Sequence, residues 1–312
     1  MMQRRTNLLW GVVLLAAAAV IVLRAFGLVP DGIFDLAARA WPALLVFGGL
    51  ALFLRGRVPA GGLAALLISA ALVAGVAAYA FSARATQERD DYRQAVNQPV
   101  GAGVTLLRVQ VDMLNTDVEL VRALEERLVI GQFVGSTESL VWTEYAEAGD
   151  GTAALAVRET QPNPYPLLEA IGRGRLRLEL PPDVALDIDF NGANGSASLT
   201  LSGLAVERLN MDLRRGSALV TLPDYDPLGS PEDAVLGVLA VRDGDLTIFV
   251  PDTVAARLEL SGASGIPPLY DAATYNLLAN GVLEARNYDT FETKLRYVLE
   301  VPAGQVLLQS AG

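Results

Sequence analysis

Residues 209–223 read LNMDLRRGSALVTLP, and residues 244–251 read GDLTIFVP. In both, apolar residues alternate with other residues for a few positions and the run stops at a proline: Val220, Leu222, Pro223, and Leu246, Ile248, Val250, Pro251. Period-two alternation marks a strand with one buried face, and a terminal proline has no N–H to give a ladder, so it closes the strand. The phrase stands upstream as Leu176, Leu178, Leu180, Pro181 and downstream as Tyr297, Leu299, Val301, Pro302. Successive prolines lie 42, 28 and 51 residues apart, so the repeating units vary in length.

The pattern extends outward from this centre. Leu186, Ile188 and Phe190 alternate with Asp187 and Asp189; Asn191 to Gly195 supply a turn; Leu199 and Leu201 follow; Arg215 and Gly216 turn again. Asn, Asp and Gly suit these turns because they tolerate positive φ. Upstream, strands are predicted over 106–111 and 117–121 around a turn at Asn115 and Thr116, then over 128–133, 140–144 and 153–157. A loop with Pro162, Pro164 and Pro166 leads to one short helical segment, 167–171. Short strands at this density predict an all-β body over residues 104–312, as a sandwich or a solenoid. Brief units and glycine-closed turns favour a right-handed β-solenoid, a single-stranded β-helix.

The front of the chain is a different material. Residues 1–85 hold seven arginines against Asp31 and Asp35, a balance of +5, whereas the whole chain stands at −11 and residues 86–312 therefore at −16. Three apolar runs are predicted as membrane spans, at about 8–28, 41–54 and 61–81. The third has no charge over 21 residues, a helix of about 31 Å, against a hydrocarbon core of about 30 Å. Arg4 and Arg5 share a side with Arg55 and Arg57, which the positive-inside rule makes cytoplasmic, so the acidic body faces outward. Residues 86–103 read as a linker after a short helical extension, being charged and then rich in Gly and Pro.

Composition excludes several chemistries. With no cysteine and no histidine, thiol nucleophiles, disulfides, imidazole metal sites and histidine-based triads are impossible. An acidic body with Lys294 as its one lysine excludes a nucleic-acid partner, which needs clustered cations.

Two parts of the chain resemble known families. Residues 7–54, with Gly11, Phe26-Gly27-Leu28 and Trp41-Pro42, resemble the LiaI and LiaF-like transmembrane region of bacterial membrane proteins. Residues 175–262, with LPPDVALDIDFNGANGSASLTLSGL, LNMDLRRGSALVTLP and GDLTIFVPDTVAARLELSG, look like the toast-rack and adhesin type of β repeat. The resemblance implies a membrane-anchored protein of the cell-wall-active antibiotic response, in which LiaF-like members restrain a sensor kinase. It transfers no functional residue.

The chemistry-bearing candidates are few. Asp183, Asp187, Asp189, Asp224 and Asp226 offer carboxylates for calcium or glycoside hydrolysis, but alternation puts Asp187 and Asp189 on one solvated strand face, and no calcium-loop pattern is present. Gly172 and Gly174, in GRGR, lack the spacing of a phosphate loop and read as turn glycines. Asn194-Gly195-Ser196 forms a glycosylation sequon inside a turn where Asn-Gly has its own backbone reason. A serine hydrolase would need Lys294 as its base.

The expectation is therefore a protein with no catalytic, cofactor-binding or metal-binding residues, and no cofactor. Its partners are the lipid bilayer and a membrane sensor protein or envelope component, with self-association an option. It senses or regulates envelope stress, or serves as an adhesin-like scaffold; a carboxylate hydrolase acting on envelope glycans is the third reading.

Overall fold

The computed structural model describes residues 85–162, 172–228, 234–262 and 265–311, together with Ala71 and Gly75. These fall almost wholly within one compact unit, Thr86–Pro162 with Gly172–Gly312. The second unit, Met1–Ala85 with Asn163–Ile171, lies almost entirely outside the described residues, as do the three predicted spans and the predicted helical segment 167–171. Among the described residues no helix is long and apolar enough to cross a membrane.

The body is all-β, as the alternation implies. Its eighteen described strands join into one sheet that wraps around a single apolar core. Most of the described body makes parallel passes, each giving one strand to either side of that core. In sequence these are β2 (Leu106–Arg122), whose two halves serve both sides; β5 (Thr152–Thr160) with β6 (Gly174–Leu180); and β7 (Ala185–Asn194) with β8 (Ala197–Thr200). They continue with β9 (Val206–Leu213) and β10 (Ala218–Thr221), β11 (Val238–Val241) and β12 (Leu246–Pro251), β13 (Ala255–Ser261) and β14 (Leu269–Tyr270), and β17 (Lys294–Glu300) and β18 (Val306–Ala311).

Two of these passes stack out of sequence order. The β2 pass is flanked by β5/β6 on one side and β7/β8 on the other, and β17/β18 lies between β11/β12 and β13/β14. At one end, antiparallel strands cover the passes: between β2 and β5 the chain builds β3 (Leu128–Gly135) on β6 and β4 (Leu140–Glu147) on β5, and β1 (Tyr92–Pro99), which precedes β2, pairs with β3. At the other end β16 (Val282–Ala285) covers β13, β15 (Tyr275–Leu277) covers β16, and a 3-10 turn follows at Tyr288–Thr290. This return before the last pass explains the 51-residue gap between Pro251 and Pro302.

Parallel register puts like residues in columns. Leu178, Leu120, Leu199, Val220, Ile248 and Leu308 form one buried column, and Val157, Val111, Phe190, Met211, Leu239 and Leu299 form the facing one. Each such side chain contributes roughly 1.5–3 kcal/mol of burial.

The turns between the two sides form a column as well. Gly195, Gly216 and Gly244 have φ of 133°, 128° and 146°, values that L side chains rarely adopt. Each donates its N–H to the next pass, Gly195 to Arg215 O at 3.1 Å, Gly216 to Asp243 O at 2.9 Å and Gly244 to Ala303 O at 3.3 Å.

Three details differ from the sequence reading. The stretch read as a linker, 86–103, contains β1, in which Val96 is the one fully buried residue, so no apolar alternation announces it. The predicted strands 106–111 and 117–121 are one strand, because Asn115 and Thr116 carry the chain around the corner without breaking the ladder. The proline phrase marks two different corners: Pro181, Pro223 and Pro251 end strands on one side, whereas Pro302 follows β17 on the other.

Candidate interaction surface

Of the carboxylates singled out above, Asp187 and Asp189 lie on β7, in the outer face formed by β2, β5, β7, β9 and β11. Asp187 is in register with Arg108 on one neighbour and Arg208 on the other. It is partly buried, its Oδ1 is enclosed without a hydrogen-bond partner, and burial together with nearby Asp189 pushes its carboxyl above the ordinary value despite the two arginines. Asp189 accepts a hydrogen bond from Asn210 Nδ2 at 2.9 Å.

The adjoining row is tied more tightly. Arg158 Nε lies 3.2 Å from Asp112 Oδ2, Asn191 Nδ2 donates to Asp112 Oδ1 at 3.0 Å, and Arg242 grips Asp212 through two hydrogen bonds of 3.0 and 2.8 Å. The face is thus a set of alternating charges and amides running across the strands rather than the solvated acidic row that sequence alternation implies. Arginines on neighbouring passes supply the opposite charge. Such a face resists strand slippage, since a shift by one residue would separate these pairs and turn the charged row toward the core.

The remaining candidates have structural work. Asp183 accepts from Arg127 N at 2.9 Å and pairs with Arg127 Nε at 3.3 Å; Asp224 accepts from Gly203 N at 2.6 Å; and Asp226 is exposed. Asn194 of the sequon donates its amide to Leu114 O at 3.2 Å, bracing the corner. Gly174 leaves room for the Phe133 ring and Thr116 Oγ1, which an added Cβ would meet at 2.8 and 2.7 Å. Lys294 lies 5.8 Å from the centre of the Tyr288 ring. No group of three or more Asp and Glu side chains among the described residues is placed to hold a metal ion.

Two features escape the sequence reading. Glu159, at the end of β5, is buried and receives four hydrogen bonds. Leu114 N, Asn115 N and Thr116 Oγ1 donate to its Oε2 at 2.8, 3.0 and 2.8 Å, and Ser139 Oγ donates to Oε1 at 2.9 Å. It serves the β2 corner, where a neighbouring pass would otherwise offer carbonyl acceptors. Trp142 is 66% exposed on β4, in register with Arg158, whose Nη2 donates to Gln110 Oε1 at 3.2 Å. Among the described residues β4 pairs with β5 alone, so Trp142 stands at the rim of the charged face.

No family model matches the chain, and no curated protein does. A solved structure does: the crystal structure of a "putative cell adhesion protein" from Clostridium sporogenes, with a TM-score of 0.56 at 13% identity, covering 70% of this chain and 100% of that one. At that identity the likeness concerns the fold.

Proposed function

We propose that the chain is a non-enzymatic, membrane-anchored envelope protein that works by binding a partner through the outer surface of its β body. In this reading residues 8–28, 41–54 and 61–81 span the bilayer, the body faces outward, and its parallel passes wind as a β-solenoid. The in-register parallel pairing of successive passes favours that winding over a sandwich of antiparallel strands.

The observation that carries the binding reading is Trp142. It is 66% exposed beside Arg158, and tryptophan and arginine are both residue types enriched at the energetic centres of protein interfaces. The fold likeness to a cell adhesion protein supports the adhesin-like form, a surface scaffold without a signalling role. The LiaF-like resemblance of residues 7–54 supports the other form, in which the same surface reports envelope stress to a membrane sensor protein.

Protease added outside intact cells tests the topology: cleavage should remove the body and spare the apolar front, and a protected body overturns the outward arrangement. Cells displaying the full chain should adhere to one another or to a surface, and Trp142→Ser should reduce that adhesion without altering the amount displayed. Unchanged adhesion removes Trp142 from the contact. Loss of a stress-reporter response, with adhesion untouched, would move the conclusion to the sensing form.

A further inference from the structure

At the end of the body where β1 lies, a cleft of roughly 520 Å³ reverses the charge of its surroundings. Four arginines line it, Arg89, Arg93, Arg173 and Arg175, against Glu88 and Asp90, in a portion of the chain whose overall balance is −16. Three separated stretches build it. Arg93 on β1 and Arg175 on β6 flank Val134 of β3 in one cross-strand row. Arg89 and Arg173 are locked side by side by backbone hydrogen bonds, Arg89 N to Arg173 O at 3.0 Å and Arg173 N to Gln87 O at 2.7 Å. Gly172 makes that approach feasible, since a Cβ there would lie 2.0 Å from Arg89 Cγ.

The donors in this cleft exceed its acceptors. Arg175 pairs with Glu88 at 2.5 Å, Arg89 with Asp91, and Arg173 with Asp117 at 3.6 Å, while Arg93 is exposed and makes no ion pair among the described residues. Arg89 Nε and Arg173 Nε are buried without a hydrogen-bond partner. Those two atoms are closed off from the cleft, so it is the guanidinium groups lining it, Arg93 above all with no ion pair among the described residues, that suit an oxygen-rich anion, and the guanidinium fork matches phosphate oxygens.

We propose that this cleft binds the phosphate of an anionic phospholipid headgroup in the membrane that anchors the chain, an inference that rests on the membrane-anchored reading above. Chain length favours that source. Glu88 follows Phe81, the last residue of the third apolar run, by seven residues, a reach of at most about 24 Å. A tether of that length would give a headgroup at the bilayer surface a high effective concentration for the cleft, which soluble phosphate lacks. The body's surplus of acids opposes nucleic acid as the phosphate source.

The test reconstitutes the full chain in nanodiscs of phosphatidylcholine alone or mixed with phosphatidylglycerol and follows amide hydrogen exchange in Tyr92–Pro99 and Leu128–Gly135. Anionic lipid should slow exchange in both strands by about fivefold or more. The Arg93→Gln, Arg175→Gln double variant, altered at exposed side chains and checked for an unchanged melting temperature, should lose that protection. Equal exchange in the two lipid mixtures overturns the proposal, as does protection that survives in the double variant. Inorganic phosphate added to phosphatidylcholine nanodiscs separates the sources: if it protects as well as phosphatidylglycerol, the lipid assignment falls. Failure of the chain to enter nanodiscs overturns the anchor and the lipid source together, whereas incorporation without lipid dependence overturns the cleft alone.

Discussion

Gly216 lies so close to the carbonyl of Gly195 that a Cβ on Gly216 would stand 1.7 Å from that oxygen. The relation repeats down the corner: a Cβ on Gly244 would stand 2.0 Å from Gly216 O, and one on Gly304 would stand 1.8 Å from Gly244 O. One edge of the body is thus a stack of bare backbone in which each turn fits beneath the next only because neither carries a side chain.

Gly216→Ala should therefore be among the most damaging single substitutions in the body. The clash is with backbone, which cannot rotate away, and φ at 128° strains any L side chain in addition. We expect a loss of about 4 kcal/mol or more in urea unfolding. Gly149→Ala, at a position where a Cβ would meet nothing within 4 Å, should change stability by less than about 1 kcal/mol. Equal effects at the two sites would show that the corner relaxes freely.

Glu159 predicts a graded pair of variants. Glu159→Ala strands four donors around a buried hole and should cost about 3–5 kcal/mol. Glu159→Gln keeps one oxygen for Leu114 N, Asn115 N and Thr116 Oγ1, and can turn its amide toward Ser139 Oγ, which is able to accept. Its loss should be smaller, about 1–2 kcal/mol. Chemical unfolding of the two variants checks the order, and a Gln variant as weak as Ala would mean that the negative charge itself holds the corner.

How much of this was legible in the sequence depends on what each feature is made of. The columns through Leu178 and Phe190 were visible because period-two burial writes itself directly into residue order. The corner was half visible: Arg215-Gly216 and Asn194-Gly195 read as turns, but nothing in one chain shows that the two glycines stack. Glu159 could not be read at all, since its partners Leu114 to Thr116 and Ser139 meet it only after the chain folds back upon β2. The strand β3 likewise comes to lie between Arg93 and Arg175 only in the fold, so GRGR reads as turn glycine in sequence while its arginines line a cleft. β1 stayed hidden because a strand that covers an end buries little: Val96 alone is enclosed, and YRQAVNQP resembles the loop that surrounds it.

Tyr297 offers a substitution expected to help. It is fully enclosed on β17, its hydroxyl has no hydrogen-bond partner, and burial pushes its phenol above the ordinary range. A hydroxyl buried without a partner costs free energy that its removal recovers, provided the ring still fills the space. Tyr297→Phe should therefore be neutral or more stable by about 1 kcal/mol in thermal or urea unfolding. A clear loss would mean that the hydroxyl finds a partner in solution.

Asp187 gives the pH dependence. Burial raises its carboxyl above the ordinary 3.8, with Asp189 adding to the rise and Arg208 and Arg108 opposing it. An acid whose pKa is raised by folding holds its proton more tightly in the folded chain, so it contributes no penalty below the ordinary value and its full penalty above the raised one. Stability attributable to this group therefore falls as pH climbs through that window. Asp187→Asn removes the ionisation and keeps the shape. The variant should be more stable than the parent near neutral pH, and the difference should close as pH drops toward 3.8. Urea unfolding of both proteins across that range decides the cause: a gap that persists at acid pH assigns the effect to packing, and a less stable variant at neutral pH shows that Arg108 and Arg208 outweigh the burial.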